Sequence, residues 1–152
     1  MKILFLHGLE GRPNGTKAEY LKSLGHEVFA PSLPKEDMFE SILIAKRWLE
    51  HHRPDVIVGS SRGGAIASHL ETKARKVLIA PAYRAFGLEP HSINWRDTIL
   101  HCFDDEIVPY QFSHELAQAT ECKLIDCGEN HRMSDTNALE TLKEVVKNGN
   151  SV

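Results

Sequence analysis

Six short apolar runs, separated by longer amphipathic segments, constrain the fold of this chain more than any other feature. The runs are rich in Val, Ile, Leu and Phe and lack strict polar alternation, as is typical of strands buried on both faces of a parallel sheet. They are Ile3–Leu6, Val28–Ala30, Val56–Val58, Val77–Ala80, Thr98–Phe103 and Leu124–Cys127. We therefore expect an α/β protein with a mostly parallel sheet of about six strands.

The segments between these runs have the apolar spacing of helices that pack on a sheet. The segment that begins at Asp37 repeats apolar residues every three or four positions, and Asp is a favoured N-cap. The candidate helices are Thr16–Leu24, Asp37–His51, Ser61–Leu70, Pro109–Ala119 and Asp135–Asn148. Their alternation with the strands predicts a three-layer, right-handed sandwich. Only Pro81–Arg96 has no clear period, and it could be a small lid or a connecting loop.

Length, charge and cysteine content narrow the class of protein. The 152 residues contain no Pro/Ser/Gly-rich linker, so we expect one domain over residues 1–152. The net charge of −3 does not favour binding to nucleic acid. The sequence has no apolar run of about 20 residues, so we expect no membrane partner. Cys102, Cys122 and Cys127 form no spaced framework, which indicates reduced thiols in a cytoplasmic protein. Without CxxC, HxH or HExxH spacing, we expect neither a metal nor a cofactor.

The third strand is followed directly by the pattern G-x-S-x-G, from Gly59 to Gly63, and then by a candidate helix. In such a strand-to-helix turn the central Ser61 adopts a positive φ and exposes its hydroxyl. The positions two before and two after the serine are crowded, so glycine is favoured at both. The backbone N–H of Arg62 would then lie at a helix N-terminus, where unpaired donors favour an anion. The alternative is an ordinary strand-to-helix turn built from small residues.

An acid and a histidine follow the next strands, as the partners of a serine nucleophile would. Asp105 follows the fifth run and His131 follows the sixth, and the carboxyl ends of parallel strands meet at one edge of a sheet. Asp104 could be the orienting acid instead, and Asp105 could simply cap the helix after Pro109. His131 could be a surface loop residue. We expect His7, at the end of the first strand, to be structural or to shape the site.

Four segments together resemble the α/β-hydrolase superfamily, in particular its compact bacterial esterase-like members. Leu6-His7-Gly8-Leu9 is similar to the end of its oxyanion strand, and Gly59–Gly63 to its nucleophile elbow. Asp105-Glu106-Ile107-Val108-Pro109 resembles its D-x-x-V-P acid loop, and Gly128-Glu129-Asn130-His131 its G-x-x-H base loop. The resemblance implies a sheet trimmed of its first two strands, with little or no cap.

The same resemblance implies an enzyme and assigns its site residues. Ser61 would be the nucleophile, His131 the base and Asp105 the acid, with the backbone N–H groups of Leu9 and Arg62 as the oxyanion hole. We expect a serine esterase that uses water to cleave small acyl substrates through an acyl-enzyme. A thioester hydrolase, an acyltransferase or a non-catalytic binding protein on the same frame are the alternatives. The side chains of Arg12 and Arg62 could contact an acidic acyl substrate, or be solvated or paired with Glu10. The sequence leaves the oligomeric state open.

Overall fold

A six-stranded parallel sheet forms the middle layer of the structure, a computed structural model that describes residues 1–148. The strands are β1 (Lys2–Leu6), β2 (Glu27–Phe29), β3 (Val56–Ser60), β4 (Arg75–Ile79), β5 (Thr98–His101) and β6 (Lys123–Asp126). Their order across the sheet is β2-β1-β3-β4-β5-β6, and every neighbouring pair is parallel. Each predicted run overlaps one of these strands. Residues 149–152 of the predicted domain lie outside the described residues.

Five helices follow strands in the order that the sequence predicts; four of them connect one strand to the next, and the fifth follows β6. They are α1 (Thr16–Ser23), α2 (Met38–His52), α3 (Arg62–His69), α4 (Tyr110–Thr120) and α5 (Thr136–Asn148). The carboxylate of Asp37 accepts a hydrogen bond of 2.9 Å from the backbone N–H of Glu40 and so caps α2. Gly25 follows α1 with a φ of 94°, a conformation that favours glycine.

The helices form two outer layers because successive side chains of a strand point to opposite faces. Ile3 and Phe5 of β1 belong to the same apolar cluster as residues of α1 and α5. Leu4 and Leu6 belong to a second cluster, with residues of α2, α3 and α4. The predicted three-layer sandwich is therefore confirmed, with α1 and α5 on one face of the sheet and the other three helices on the opposite face.

All six strands end at the same edge of the sheet, and this places the candidate residues. His7 follows β1, Ser61 follows β3 and Asp105 lies just after β5. Gly59 is paired with Leu6, and Ser60 with Ile79, so the end of β3 is held between its two neighbours. This carboxyl edge is where open α/β sheets collect their functional loops.

The segment 81–96 is a packed connecting loop between β4 and β5, with turns but neither helix nor strand. The Tyr83 hydroxyl donates to the Phe112 carbonyl at 2.8 Å, and the His91 N–H donates to the Ser68 carbonyl at 2.7 Å. Phe86 packs against the cluster on the α3 side of the sheet. The loop therefore packs against the α3 side of the sandwich, as the connecting-loop alternative predicts. No helix within residues 1–148 has the length and apolar character that crossing a membrane requires.

Candidate active site

Ser61 lies on a sharp turn between β3 and α3, with a φ of 56° and a ψ of −111°. This conformation costs a residue with a Cβ atom free energy, so the surrounding structure must enforce it. The Ser61 N–H donates to the Ile79 carbonyl at 2.8 Å. The Ser61 carbonyl accepts from Ala65 N at 2.9 Å and from Ala82 N at 3.0 Å. The predicted strain at this serine is present, and hydrogen bonds to β4, α3 and the following loop hold it.

The glycines on either side of Ser61 allow a close approach of backbone segments. A Cβ atom on Gly59 would lie 2.8 Å from the Cβ of Ala67 and would overlap the Gly63 carbonyl. A Cβ atom on Gly63 would lie 2.6 Å from the His7 carbonyl oxygen and would overlap the Leu6 carbonyl. Both positions therefore require glycine because of space, since neither has a positive φ.

His131 reaches Ser61 from the loop that follows β6. Its Nε2 atom lies 2.9 Å from the Ser61 Oγ, and its side chain is about one-fifth exposed, at 19%. Gly128 starts this loop with a φ of 85°, and its N–H donates to the Asn137 side chain at 2.8 Å. The Glu129 N–H donates to the Asp135 carboxylate at 2.9 Å. The N-terminal end of α5 thus fixes the loop that carries His131.

Asp105 is the carboxylate that contacts His131. Its Oδ2 atom accepts from the Nδ1 of His131 at 2.7 Å, while Oδ1 accepts from the N–H groups of Ile107 and Val108 at 2.7 and 2.8 Å. Its side chain is fully buried. Burial acts to raise the pKa of this carboxyl, but the hydrogen bonds from His131, Val108 and Ile107 outweigh it and hold the pKa below its usual value. Asp104 is exposed instead, and Pro109, not Asp105, occupies the N-cap of α4.

These contacts assign the proton on His131. An ionised carboxylate only accepts hydrogen bonds, so Nδ1 carries the proton that Asp105 accepts. In the neutral ring Nε2 is then an acceptor, and the Ser61 hydroxyl donates to it. The arrangement can remove a proton from the serine hydroxyl and stabilise the imidazolium that forms.

The turn after β1, residues 7–11, carries the predicted oxyanion donor Leu9 and is called the oxyanion turn. His7 fixes this turn beside Ser61. The Gly8 carbonyl accepts from the His7 Nδ1 at 2.8 Å and from the Gly11 N–H at 3.0 Å. The His7 Nε2 accepts from the Leu33 N–H at 3.0 Å, so Nδ1 is the protonated nitrogen. Because a trans peptide points its C=O and N–H in opposite directions, this also orients the N–H of Leu9. Gly8 itself abuts Ser61, since a Cβ there would lie 3.4 Å from the Ser61 Cβ.

The two predicted oxyanion donors make no hydrogen bond to other described residues. Neither the N–H of Leu9 nor that of Arg62 has a hydrogen-bond acceptor in residues 1–148. Arg62 is the first residue of α3, so its N–H also has the favourable dipole of a helix N-terminus. Both groups are therefore available to an external acceptor.

The prediction that the Arg62 side chain faces a substrate, solvent or Glu10 is wrong. Its guanidinium is buried, with 1% of the residue exposed, and Nη2 donates to the Pro34 carbonyl at 3.0 Å and to the Ser41 hydroxyl at 3.1 Å. Burial lowers the pKa of this guanidinium, and Nη1 has no partner in the described part of the chain. Glu10 pairs with Lys35 at 3.2 Å instead. The side chain therefore ties α3 to α2 and to the loop that carries Leu33.

His101 is a residue to which the sequence analysis assigns no role. It is completely buried at the end of β5, with Nε2 at 3.1 Å from the Asp105 Oδ2 and at 3.0 Å from the Val108 carbonyl. Its Nδ1 lies 2.6 Å from the Ser113 hydroxyl. The sequence signal was a histidine inside the apolar run Thr98–Phe103, four residues before the candidate acid.

Two of the surface cavities that the described residues form lie at opposite edges of the sheet. One of about 290 Å³ lies beside the oxyanion turn. It is lined by His7, Leu9, Glu10, Gly11, Arg12, Pro13, Ser32, Leu33 and Lys35. Another, of about 660 Å³, lies at the far end of α2, away from the carboxyl edge, and is lined by Arg47, Trp48, Glu50, His51 and His52. Among residues 1–148, no three His, Cys, Asp or Glu side chains are grouped as a metal site requires.

A protein family and several solved structures match this chain. The uncharacterised protein family UPF0227 matches residues 2–97, a range that includes Ser61 but ends before Asp105 and His131. A search of curated proteins finds no match.

The structural matches extend over nearly the whole chain. A protein described as a hydrolase of the alpha/beta superfamily, from Xanthomonas campestris, is 22% identical, with a TM-score of 0.74, and the alignment covers 96% of this chain and 98% of that one. Mouse alpha/beta hydrolase domain-containing protein 10 is 19% identical, with a TM-score of 0.75 over 97% of this chain and 88% of the other. Est1E from Butyrivibrio proteoclasticus is 17% identical, with a TM-score of 0.72 over 96% and 85%. These matches confirm the predicted α/β-hydrolase fold.

Proposed function

This chain belongs to the uncharacterised protein family UPF0227, and we propose that it is a serine hydrolase that cleaves small carboxylic esters. Ser61 is the nucleophile, His131 the general base and Asp105 the orienting acid. The backbone N–H groups of Leu9 and Arg62 form the oxyanion hole. The α/β-hydrolase fold is compatible with this activity, although a fold by itself does not determine one.

One observation carries the proposal, namely the continuous pair of hydrogen bonds from Ser61 through His131 to Asp105. The two bonds, of 2.9 and 2.7 Å, join residues 70 and 26 positions apart in the chain. They converge on a serine held at a φ of 56°. An ordinary strand-to-helix turn requires neither the strained serine nor the buried carboxylate behind the histidine. The geometry therefore favours nucleophilic chemistry over a purely structural turn.

The reaction proceeds in two steps. His131 takes the proton of the Ser61 hydroxyl at Nε2 as the oxygen attacks the ester carbonyl. The two N–H groups stabilise the negative oxygen of the tetrahedral intermediate, and the imidazolium then gives its proton to the departing alcohol. This leaves an acyl group on Ser61. A water molecule, deprotonated by the same imidazole, attacks the acyl group, releases the carboxylic acid and restores the serine.

The space around the site favours small substrates. The cavity beside the oxyanion turn measures about 290 Å³, at the lower end of the range for small-molecule pockets. It borders Leu9, one of the two proposed oxyanion donors. The segment 81–96 packs against the α3 side of the sheet. We therefore infer that a short acyl or alcohol group occupies this cavity.

Labelling with a fluorophosphonate probe, followed by peptide mapping, tests the proposal. The probe should modify Ser61 of the folded protein, and Ser61→Ala should lose both labelling and turnover of short p-nitrophenyl esters. Ser60→Ala is the matched control because Ser60 is the neighbouring hydroxyl at the end of β3, and it should still be labelled at Ser61. A folded wild-type protein that the probe does not modify would contradict the proposal and favour a binding protein. If the protein hydrolyses acyl thioesters but not esters, its substrates are thioesters and the proposed substrate class is wrong.

A further inference from the structure

We propose that His101 is a positioning residue for the hydrolytic site, and that it acts by fixing the Asp105 carboxylate for His131. The proposal rests on the function proposed above, because it concerns the same site. It assigns a role to a buried histidine that touches neither Ser61 nor the cavity beside the oxyanion turn.

The partners of His101 determine which of its nitrogens carries a proton. Nε2 faces two oxygens that can only accept, the Asp105 carboxylate at 3.1 Å and the Val108 carbonyl at 3.0 Å. An unprotonated Nε2 would be repelled by both, so this nitrogen is the donor. On the other side of the ring, the Ser113 hydroxyl at 2.6 Å can donate to Nδ1. The ring is thus held from both sides in its neutral Nε2–H form.

Burial keeps that ring neutral. His101 is completely buried, and burial lowers its pKa, while its contacts with Val108 and Asp105 only partly oppose this. A second positive charge here would also repel the imidazolium of His131, which shares the same carboxylate. Since neutral His101 donates a hydrogen bond without cancelling charge, Asp105 keeps its full negative charge for His131.

The effect on Asp105 is to occupy all of its acceptor positions. Oδ1 accepts from two backbone N–H groups, and Oδ2 accepts from one nitrogen each of His131 and His101. A carboxylate offers about four such positions, so no free one remains to let the group rotate or take up water. His101 therefore holds the Asp105 carboxylate in the orientation in which it accepts from His131. Ser113, on α4, holds the His101 ring in place through its Nδ1.

Three variants separate positioning from folding. His101→Phe keeps a planar ring but removes the donor, and we expect kcat per probe-labelled site to fall about tenfold with KM nearly unchanged. His101→Gln places an amide N–H near the position of Nε2 and should regain most of this loss. Ser113→Ala keeps the imidazole but frees its Nδ1, and should fall between the wild type and His101→Phe.

The second readout is the proton resonance of the His131 Nδ1–H, which a hydrogen bond to a carboxylate shifts far downfield. We expect this resonance to weaken or exchange faster in His101→Phe and to be retained in His101→Gln. If kcat per labelled site and this resonance are both unchanged in His101→Phe, the proposal is overturned. If His101→Phe does not fold, the same comparison with Ser113→Ala decides.

The two proposals fail differently. A wild-type protein that neither reacts with the probe nor hydrolyses esters would refute the proposed function. The resonance of His131 would still show, in the same variants, whether His101 positions Asp105.

Discussion

Gly63 lies so close to the backbone of Leu6 that a Cβ atom at position 63 would overlap the Leu6 carbonyl. The first turn of α3 therefore rests directly on the end of β1, the strand that leads into the oxyanion turn. The distance between Ser61 and that turn depends on this contact.

We expect Gly63→Ala to destabilise the protein by about 1–3 kcal/mol, the usual cost of forcing an atom into a packed site. The added methyl group must push α3 away from β1, so labelling of Ser61 should fall as well. Gly15→Ala is the control, because a Cβ there meets only the Arg12 carbonyl oxygen, at 3.4 Å. Chemical denaturation and probe labelling of both variants measure the difference, and equal stability of the two would contradict the close approach.

The strain at Ser61 predicts that activity and stability conflict at this position. Ser61→Ala and Ser61→Gly both remove the hydroxyl and should both be unreactive to the probe. Only glycine relieves the φ of 56°, so Ser61→Gly should be more stable than Ser61→Ala by about 1 kcal/mol. Denaturant midpoints of the two inactive variants give this difference directly. Were the alanine variant as stable as the glycine variant, the turn would not be strained.

His7 controls the oxyanion turn through the Gly8 carbonyl, so we expect His7→Ala to impair catalysis more than binding. One misplaced oxyanion donor typically reduces kcat by about 10²-fold, and KM should change little because the donor acts mainly in the transition state. His69→Ala provides the control, since the Nδ1 of His69 also contacts a carbonyl, that of Glu89 at 2.8 Å, but at the opposite end of α3. Rates should be expressed per labelled site. An unchanged kcat in His7→Ala would mean that the Leu9 N–H is oriented without the imidazole.

Much of this architecture could be predicted from the sequence because its signals are local. Each strand contains a short uninterrupted apolar run, and Ser61, Asp105 and His131 each follow such a run closely. In a parallel sheet that position alone brings residues to one edge. The geometry of the glycines around Ser61 is likewise a local requirement of the turn.

The residues that sequence reasoning misjudged depend on tertiary packing. The sequence predicts a solvent-exposed Arg62 side chain. In the structure its guanidinium is buried and donates to the Ser41 hydroxyl and the Pro34 carbonyl. His101 has partners on the acid loop and on α4, and its link to Ser113 spans 12 residues. No periodicity in the chain indicates such contacts.

The lowered pKa of the buried Asp105 carboxyl predicts how the free energy of unfolding depends on pH. Burial raises its pKa, but the hydrogen bonds from His131, Val108 and Ile107 prevail, so the folded-state pKa lies below that of the unfolded chain, about 3.9. The ionised group therefore stabilises the fold above the unfolded pKa, and this contribution is lost as the pH falls through the folded pKa.

Asp105→Asn should accordingly reduce the free energy of unfolding near neutral pH and flatten its decline between about pH 5 and pH 3. Asp104→Asn, a change at the neighbouring exposed carboxyl, should keep the wild-type slope. Asp135 also has a lowered pKa, chiefly because backbone N–H groups such as those of Glu129 and Ala138 outweigh its burial. Since Asp135 is present in all three proteins, its effect cancels in the comparison. Parallel slopes for wild type and Asp105→Asn in urea titrations across this range would show that the ionised Asp105 is not favoured by folding.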